Sequence, residues 1–456
     1  MASMKINFKK YFLILVVVFS SAVYAQQVNE FKFLRYNDVI SIDSTNQSFY
    51  YKIKQITISK KSQAFLFFGA ENRTQYQLFE NENWDDSYRD DNGFILNRAL
   101  FYADLKIGNS FRLFSQLQSS SSVSRIDPNP LEENPLDLHQ LFIDVKLNSL
   151  NFRLGRQELY YGSQRLISVR EGPNSRQAFD AMKITYHRNN FSTDVFYGYF
   201  VKNRFGNFND KIDTNTKLSG LYTSINRVKY FNNIEIYILN TQKSNSTYNT
   251  FSGRENRNTV GSRIYGNYSD WNYDIEAAYQ FGKFDSKNIS AWTFSINNSF
   301  SYDVNKAKQK IGLKAEYISG DKIQSDGTIG TFNPLFPRGA YFGLAALIGP
   351  SNLVDIHPYL EFQLTKKLNF NIDYDMFWRA SVNDGIYQPN VSVLFDSSNS
   401  TLKKIGNQLG TSFEYTFNKY LNLTVEGTWF QSGNFIKDVS NGKDILFTAT
   451  TLTIIL

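Results

Sequence analysis

Cysteine is absent from the 456 residues. That excludes a disulfide framework, a thiolate nucleophile and a lipidated N-terminal cysteine. Histidine occurs 3 times, as His139, His187 and His357, each in a different segment. No GxSxG, HExxH or Walker loop accompanies them, so the hydrolase, zinc-protease and phosphate-binding chemistries lack their sequence basis. An enzyme is not expected, and neither a cofactor nor a metal is implied. His139 falls in line with Leu141, Ile143 and Val145 and reads as an interfacial residue rather than a catalytic one. Beyond residue 25 no apolar run approaches the roughly 20 residues that a membrane-spanning helix needs. The formal net charge is +7, yet no basic helix or clustered Lys/Arg run appears. Nucleic acid is therefore not an expected partner.

What is present is patterned. Lys5, Lys9 and Lys10 precede an apolar stretch at 11–19, and small residues follow. Val23 and Ala25 fit the minus-three and minus-one positions of a signal peptidase site, which makes 1–25 a signal peptide and Gln26 the mature start. Residues 26–62 are polar and without clear period, and read as an N-terminal periplasmic or plug-like segment.

From residue 63 onward the dominant signal is alternation with period two. Trp271, Tyr273, Ile275, Ala277, Tyr279 and Phe281 share one face, against Asn272, Asp274, Glu276 and Gln280. Leu368, Phe370, Ile372, Tyr374 and Met376 oppose Asn369, Asn371, Asp373 and Asp375, and Leu421, Leu423, Val425 and Trp429 oppose Asn422, Thr424, Glu426 and Thr428. Aromatics reach 16% while mean hydropathy is only −0.39, as befits a chain that is apolar on alternate residues. Tight turns fall at 107–110, 147–149, 187–190, 269–270, 365–367 and 418–420. Longer polar stretches at 79–93, 119–136, 160–178, 202–216, 241–257, 319–352 and 378–403 lie between them. Short turns at one end and long loops at the other are the pattern of an outer-membrane barrel. The expected fold is all-β: a transmembrane, antiparallel, up-and-down barrel of roughly eighteen strands over 63–456, placed in the cell outer membrane and in contact with its lipid.

One region carries a family signature. Arg153-Leu154-Gly155-Arg156-Gln157-Glu158, then Tyr161-Gly162, Gln164-Arg165-Leu166 and Phe179-Asp180, resembles the alginate export family of outer-membrane barrels. Phe68-Gly69-Ala70-Glu71-Asn72-Arg73, Arg98-Ala99-Leu100 and Phe111-Arg112-Leu113-Phe114-Ser115-Gln116-Leu117 resemble it too, so the recognisable part spans about 63–186. The resemblance implies an arginine-rich constriction that passes an anionic polysaccharide or oligosaccharide. It would be lined by Arg73, Arg98, Arg112, Arg153, Arg156, Arg165 and Arg176, with Glu158 and Asp180 as counter-charges. Guanidinium groups suit this role independently, because their fork matches a carboxylate. Periplasmic export or uptake components are the corresponding protein partners. The competing reading of each arginine is a packed salt-bridge network that stiffens the lumen. At the level of the whole chain, the alternatives are a general porin for small anionic or sugar solutes and a closed structural barrel. Gly155 reads as a bulge that breaks strand parity before Arg156. Asp373 and Asp375 read as solvated lumen carboxylates, and the acidic stretch 81–91 as a solvated surface loop, in preference to cation sites. The stretch 319–352, with Pro334, Pro337 and Pro350, is long enough to fold inward.

Overall fold

The computed structural model describes residues 31–38, 49–87, 90, 92–305 and 307–456. They fall in two units, Met1–Asp43 and Ser44–Leu456. The expected signal peptide, 1–25, lies outside the described residues. In the first unit, residues 31–38 hold a 3-10 turn, Arg35–Asn37, and the Lys32 amide donates to the Asp38 carboxylate at 2.7 Å.

In the second unit, 18 strands close into one antiparallel barrel. They are β1 (Ala64–Glu80), β2 (Phe94–Ile107), β3 (Phe111–Val123), β4 (Asn134–Leu147), β5 (Leu150–Gln157) and β6 (Phe179–Arg188). Next come β7 (Phe191–Lys202), β8 (Lys211–Val228), β9 (Asn232–Tyr248), β10 (Phe251–Tyr268), β11 (Trp271–Phe284) and β12 (Lys287–Val304). The circuit ends with β13 (Ala307–Ile318), β14 (Leu353–Gln363), β15 (Leu368–Arg379), β16 (Lys404–Asn418), β17 (Leu421–Ser432) and β18 (Ile445–Ile455). Each strand pairs with the next, and β18 returns to β1, from Glu71 opposite Ile455 to Glu80 opposite Leu446. Closure leaves no unpaired ladder facing lipid, where each orphaned backbone group costs several kcal/mol.

The seam needs one further piece. β18 reaches β1 only as far as Leu456, which exchanges backbone hydrogen bonds with Ala70 (2.7 and 3.0 Å). Below that point a short strand, Gln55–Ser59, folds back and pairs with Ala64–Phe67 on the same edge. The last residues of the expected plug-like segment thus complete the wall.

The two faces of the wall differ as the alternation requires. Phe101 is 49% exposed, whereas its neighbours Leu100 and Tyr102 are each 2% exposed. Leu154, Met182, Val195, Ile236, Ile238, Ile311 and Leu313 continue the outward apolar band. Trp271 packs against Phe300 near the short-turn end, and Trp292 stacks on Tyr317 toward the other. Such aromatic girdles mark the two interfaces of a membrane barrel.

Long connections collect at one end, at 81–93, 124–133, 158–178, 203–210, 319–352, 380–403 and 433–444. The stretch 241–257 is a correction. It is no loop: β9 and β10 stay paired up to Tyr248 opposite Phe251. Its Ser, Thr and Asn side chains bond across the ladder, as between the Thr247 and Ser252 hydroxyls at 2.8 Å. Polarity there marks where the strand leaves the apolar layer, not where pairing stops.

Candidate functional site

The inner wall carries charged ladders because every second residue must face inward. Near the short-turn end, Arg112 on β3 grips Asp104 on β2 with two bonds of 2.7 Å. Arg153 on β5 grips Asp144 on β4 at 2.7 and 2.8 Å and lies over the Phe142 ring. Arg263 on β10 does the same to Asp274 on β11 (2.7 and 2.6 Å) and also donates to Glu235 at 2.9 Å. These are the bidentate pairs in which guanidinium and carboxylate match best.

Midway up the wall a larger network forms around the inward-folded loop 158–178. Arg98, fully buried on β2, bonds Glu71 on β1 at 2.8 Å and also Glu171 of the loop. Arg73 on β1 donates to the Glu171 and Pro173 carbonyls at 2.7 and 2.9 Å. Arg176 lies 2.9 Å from Glu158 and 3.3 Å from Glu171. Three arginines thus converge on Glu171, whose side chain is still 38% exposed. Desolvation alone would raise its carboxyl, but Arg98, then Arg176 and Arg73, hold it below the usual carboxylate range.

His139 belongs to this network, against the sequence expectation of an interfacial position. Its Nε2 lies 2.9 Å from Glu158 and the residue is buried. The register of β3 against β4 jumps between Gln116 opposite Gln140 and Leu117 opposite Leu138. His139 is the extra residue of that bulge, so its side chain leaves the outward row of Leu141, Ile143 and Val145.

Arg156 and Asp180 also depart from expectation. Gly155 does take a φ of +129°, and a Cβ there would collide with the Leu141 carbonyl oxygen. Pairing nevertheless runs without a slip from Leu150 to Arg156 on the β4 side and to Gln157 on the β6 side. Parity is kept, so Arg156 shares the outward side with its partners Leu141 and Asp180. Arg156 and Asp180 bind each other there at 2.8 and 3.1 Å.

Arg165 reaches across the interior from loop 158–178 to Glu316 on β13 (3.3 Å) and Thr293 on β12 (3.2 Å). That loop is joined inside the barrel by 319–352. The Phe336 amide donates to the Leu166 carbonyl (2.9 Å), the Ser168 amide to Phe336 (3.0 Å) and the Arg338 amide to Gln164 (3.1 Å). Phe336 packs on Phe179 and Phe200, and Phe342 on Phe377, which fastens the second loop to the wall.

Two cavities flank this constriction. One, of about 440 Å³, lies toward the short turns and is lined by Lys310, Lys314, Arg338, Tyr341, His357 and Asp373. The other, of about 290 Å³, lies toward the long loops and is lined by Trp84, Arg125, Arg170, Asn174 and Asn390. The segment 338–347 separates them, giving Arg338 and Tyr341 to the first and Gly339 and Leu344 to the second.

All seven arginines singled out in the sequence have a carboxylate partner. Two others do not. Among the described residues no ion pair links Arg170 or Arg338 to an acid, and the Nε of each is buried without a hydrogen bond. Burial pushes Arg170 down to about 10, so it remains a cation at neutral pH. Neither stands out in the sequence, because both sit in loops where alternation gives no orientation.

A closed barrel with an apolar outer band, charged ladders inside and two loops drawn into its lumen defines an outer-membrane channel. The family model for alginate export matches residues 65–443, and the chain belongs to that family. No curated protein matches it in sequence. Among solved structures it is similar to Pseudomonas aeruginosa OccK2 (OpdF) in complex with glucuronate, with a TM-score of 0.55 at 10% identity over 86% of this chain and 98% of that one. Pseudomonas aeruginosa OccK11 (OpdR) gives 0.54 at 12% identity over 86% and 96%. Pseudomonas aeruginosa OpdK with vanillate gives 0.54 at 9% over 86% and 98%. At these identities the likeness is one of fold.

Proposed function

We propose that this channel passes anionic saccharides passively past its two inward loops, with Arg170 and Arg338 as the charges that select them. The observation that carries the reading is the pair of guanidinium groups without carboxylates, one lining each of the two cavities. A cation already neutralised by a buried acid offers a passing carboxylate little, whereas one without an acid offers its full charge and its remaining N–H donors, Arg338 Nη2 already donating to the Tyr341 carbonyl at 3.1 Å. Two moderate sites in series let a solute enter and leave, as conduction requires. The three arginines around the exposed Glu171 form a third station, where a uronate would compete with the protein's own carboxylate.

Membership of the alginate export family supports an acidic sugar chain as the substrate class, and OccK2 was crystallised with glucuronate. A second reading, a porin for small anionic or sugar solutes, is favoured by one feature. The loops are hydrogen-bonded to each other across the lumen, which suits short solutes in this conformation. Planar-bilayer recordings test the proposal. The wild-type channel should prefer anions, and Arg170→Gln with Arg338→Gln should bring the permeability ratio near unity while the barrel still assembles. Unchanged selectivity in the double variant would place the conduction path elsewhere.

A further inference from the structure

Every inward carboxylate described so far faces a guanidinium, but one group does not. Asp355 and His357 on β14 and Asp375 on β15 point into the lumen side by side, with their ligand atoms all within 4.8 Å of one another. Asp355 and Asp375 are 1% and 0% exposed and His357 8%. Neither oxygen of Asp355 has a hydrogen bond, nor does Asp375 Oδ1 or His357 Nδ1. His357 Nδ1 faces Asp375 Oδ1 and lies 4.0 Å from Asp355 Oδ2. Across the ladder, Glu316 stands opposite Asp355 and Lys314 opposite His357, and Asp373 and Lys404 also face the group. Asp355 has no hydrogen bond at either oxygen and Asp375 has one only at Oδ2, and buried carboxylates so placed carry a heavy desolvation cost. Three ligand atoms this close together, one from each residue, are what a cation would satisfy.

We propose that Asp355, His357 and Asp375 form a binding site for a borderline divalent cation such as Zn²⁺ within the lumen wall. The donor set selects the metal class. An imidazole nitrogen disfavours Ca²⁺ and Mg²⁺, which take oxygen ligands, and the lack of sulfur disfavours soft ions. Two carboxylates and one histidine, with water in the remaining position, suit Zn²⁺, Co²⁺ or Mn²⁺. The outer partners are in place as well. His357 Nε2 faces Asp373 Oδ1 at 3.6 Å, an arrangement that leaves Nδ1 for the metal. Gln408 donates to Asp375 Oδ2 at 2.9 Å and to the Phe342 carbonyl at 2.6 Å, tying the site to the inward loop 319–352. His357 also borders the larger cavity, which gives an ion a route in. The site stands on this geometry alone and does not depend on what the channel carries.

The experiment uses the full barrel in detergent, stripped with chelator and then dialysed against Zn²⁺ or Co²⁺. One equivalent of Zn²⁺ should remain by elemental analysis, and Co²⁺ should give a visible ligand-field band. Asp355→Asn with Asp375→Asn, and separately His357→Gln, should weaken binding by at least about 100-fold. Heat-modifiable migration reports that each variant has assembled. Asparagines relieve the buried charge, so the double variant should assemble as well as wild type. Wild-type protein that retains no more Zn²⁺ than the double variant would overturn the proposal, as would undiminished binding by His357→Gln. Absence of Zn²⁺ binding together with a more heat-stable double variant would show that the aspartates share a proton instead.

Discussion

A single arginine in this barrel is either part of the wall or part of the path, and its partner decides which. Arg98 is fully buried between Glu71 and Glu171. Replacing one member of such a network leaves its carboxylates uncompensated, at a cost of about 3–5 kcal/mol. Arg98→Gln should therefore reduce the fraction of barrel that resists unfolding in a heat-modifiability gel, whatever it does to selectivity. Glu171 offers the opposite case, because its side chain is 38% exposed and the cage around it is cationic. Glu171→Gln should raise anion preference in bilayer recordings by removing the carboxylate that Arg73 faces, while Arg98 and Arg176 keep Glu71 and Glu158. A channel unchanged or turned cation-selective by that substitution would remove the cage from the solute path. Family resemblance points to the arginines of 153–176 as lining a solute path, and in the structure each of Arg153, Arg156, Arg165 and Arg176 has a carboxylate partner. It could not separate paired from unpaired arginines, since pairing depends on strand register and on where a loop lands. The same limit left Asp355 unremarked. Its partner Asp375 lies on the next strand, and nothing local signals that the two carboxylates meet.

At the scale of an element, the loop 319–352 is held at its root by acids. Asp321 is pushed up to about 6, first by burial and then by Asp384 of the loop 380–403. Asp384 accepts from the Asp321 amide (2.8 Å), Thr331 (2.5 Å) and Tyr387 (2.6 Å), and burial raises its carboxyl too. An acid whose folded pKa lies above its unfolded value of about 3.9 binds protons more tightly when folded. The anchorage is then strongest below about pH 4 and weakens as pH rises through about 6. Amide exchange in 319–352, corrected for intrinsic rates, should show protection falling over that window. Asp321→Asn should flatten the dependence, and an equally steep profile in the variant would assign it to another group. That this stretch is long enough to fold inward was legible from its length and prolines. Its seat was not, because the contacts of Phe336 and Phe342 come from strands far away in the chain.

For the whole molecule, the closed circuit of 18 strands makes assembly all-or-none at the seam. Folded protein should migrate faster than heated protein in detergent gels, and folded protein recovered from the soluble periplasm would contradict the membrane assignment. The mature chain should begin at Gln26, which terminal sequencing of membrane-extracted protein checks. The barrel was readable in the sequence because alternation with period two is a property of each strand by itself. Residue 271 faces lipid whatever its neighbours do, once 273 and 275 share its chemistry. Turn lengths were readable for the same local reason. The exception, the hairpin at 241–257, arose where strands continue past the apolar layer and composition no longer distinguishes ladder from loop. His139 was misread because one extra residue in β4, invisible to composition, turned its side chain inward. The sequence thus determined strand number and, away from bulges, facing, which follow from local periodicity in a medium that demands full backbone pairing, while the class of channel rested on family resemblance. Only the tertiary structure decided which charges neutralise one another, which cations stay free, and where two loops meet in the lumen. Those depend on register and closure, which bring together residues that no spacing along the chain relates.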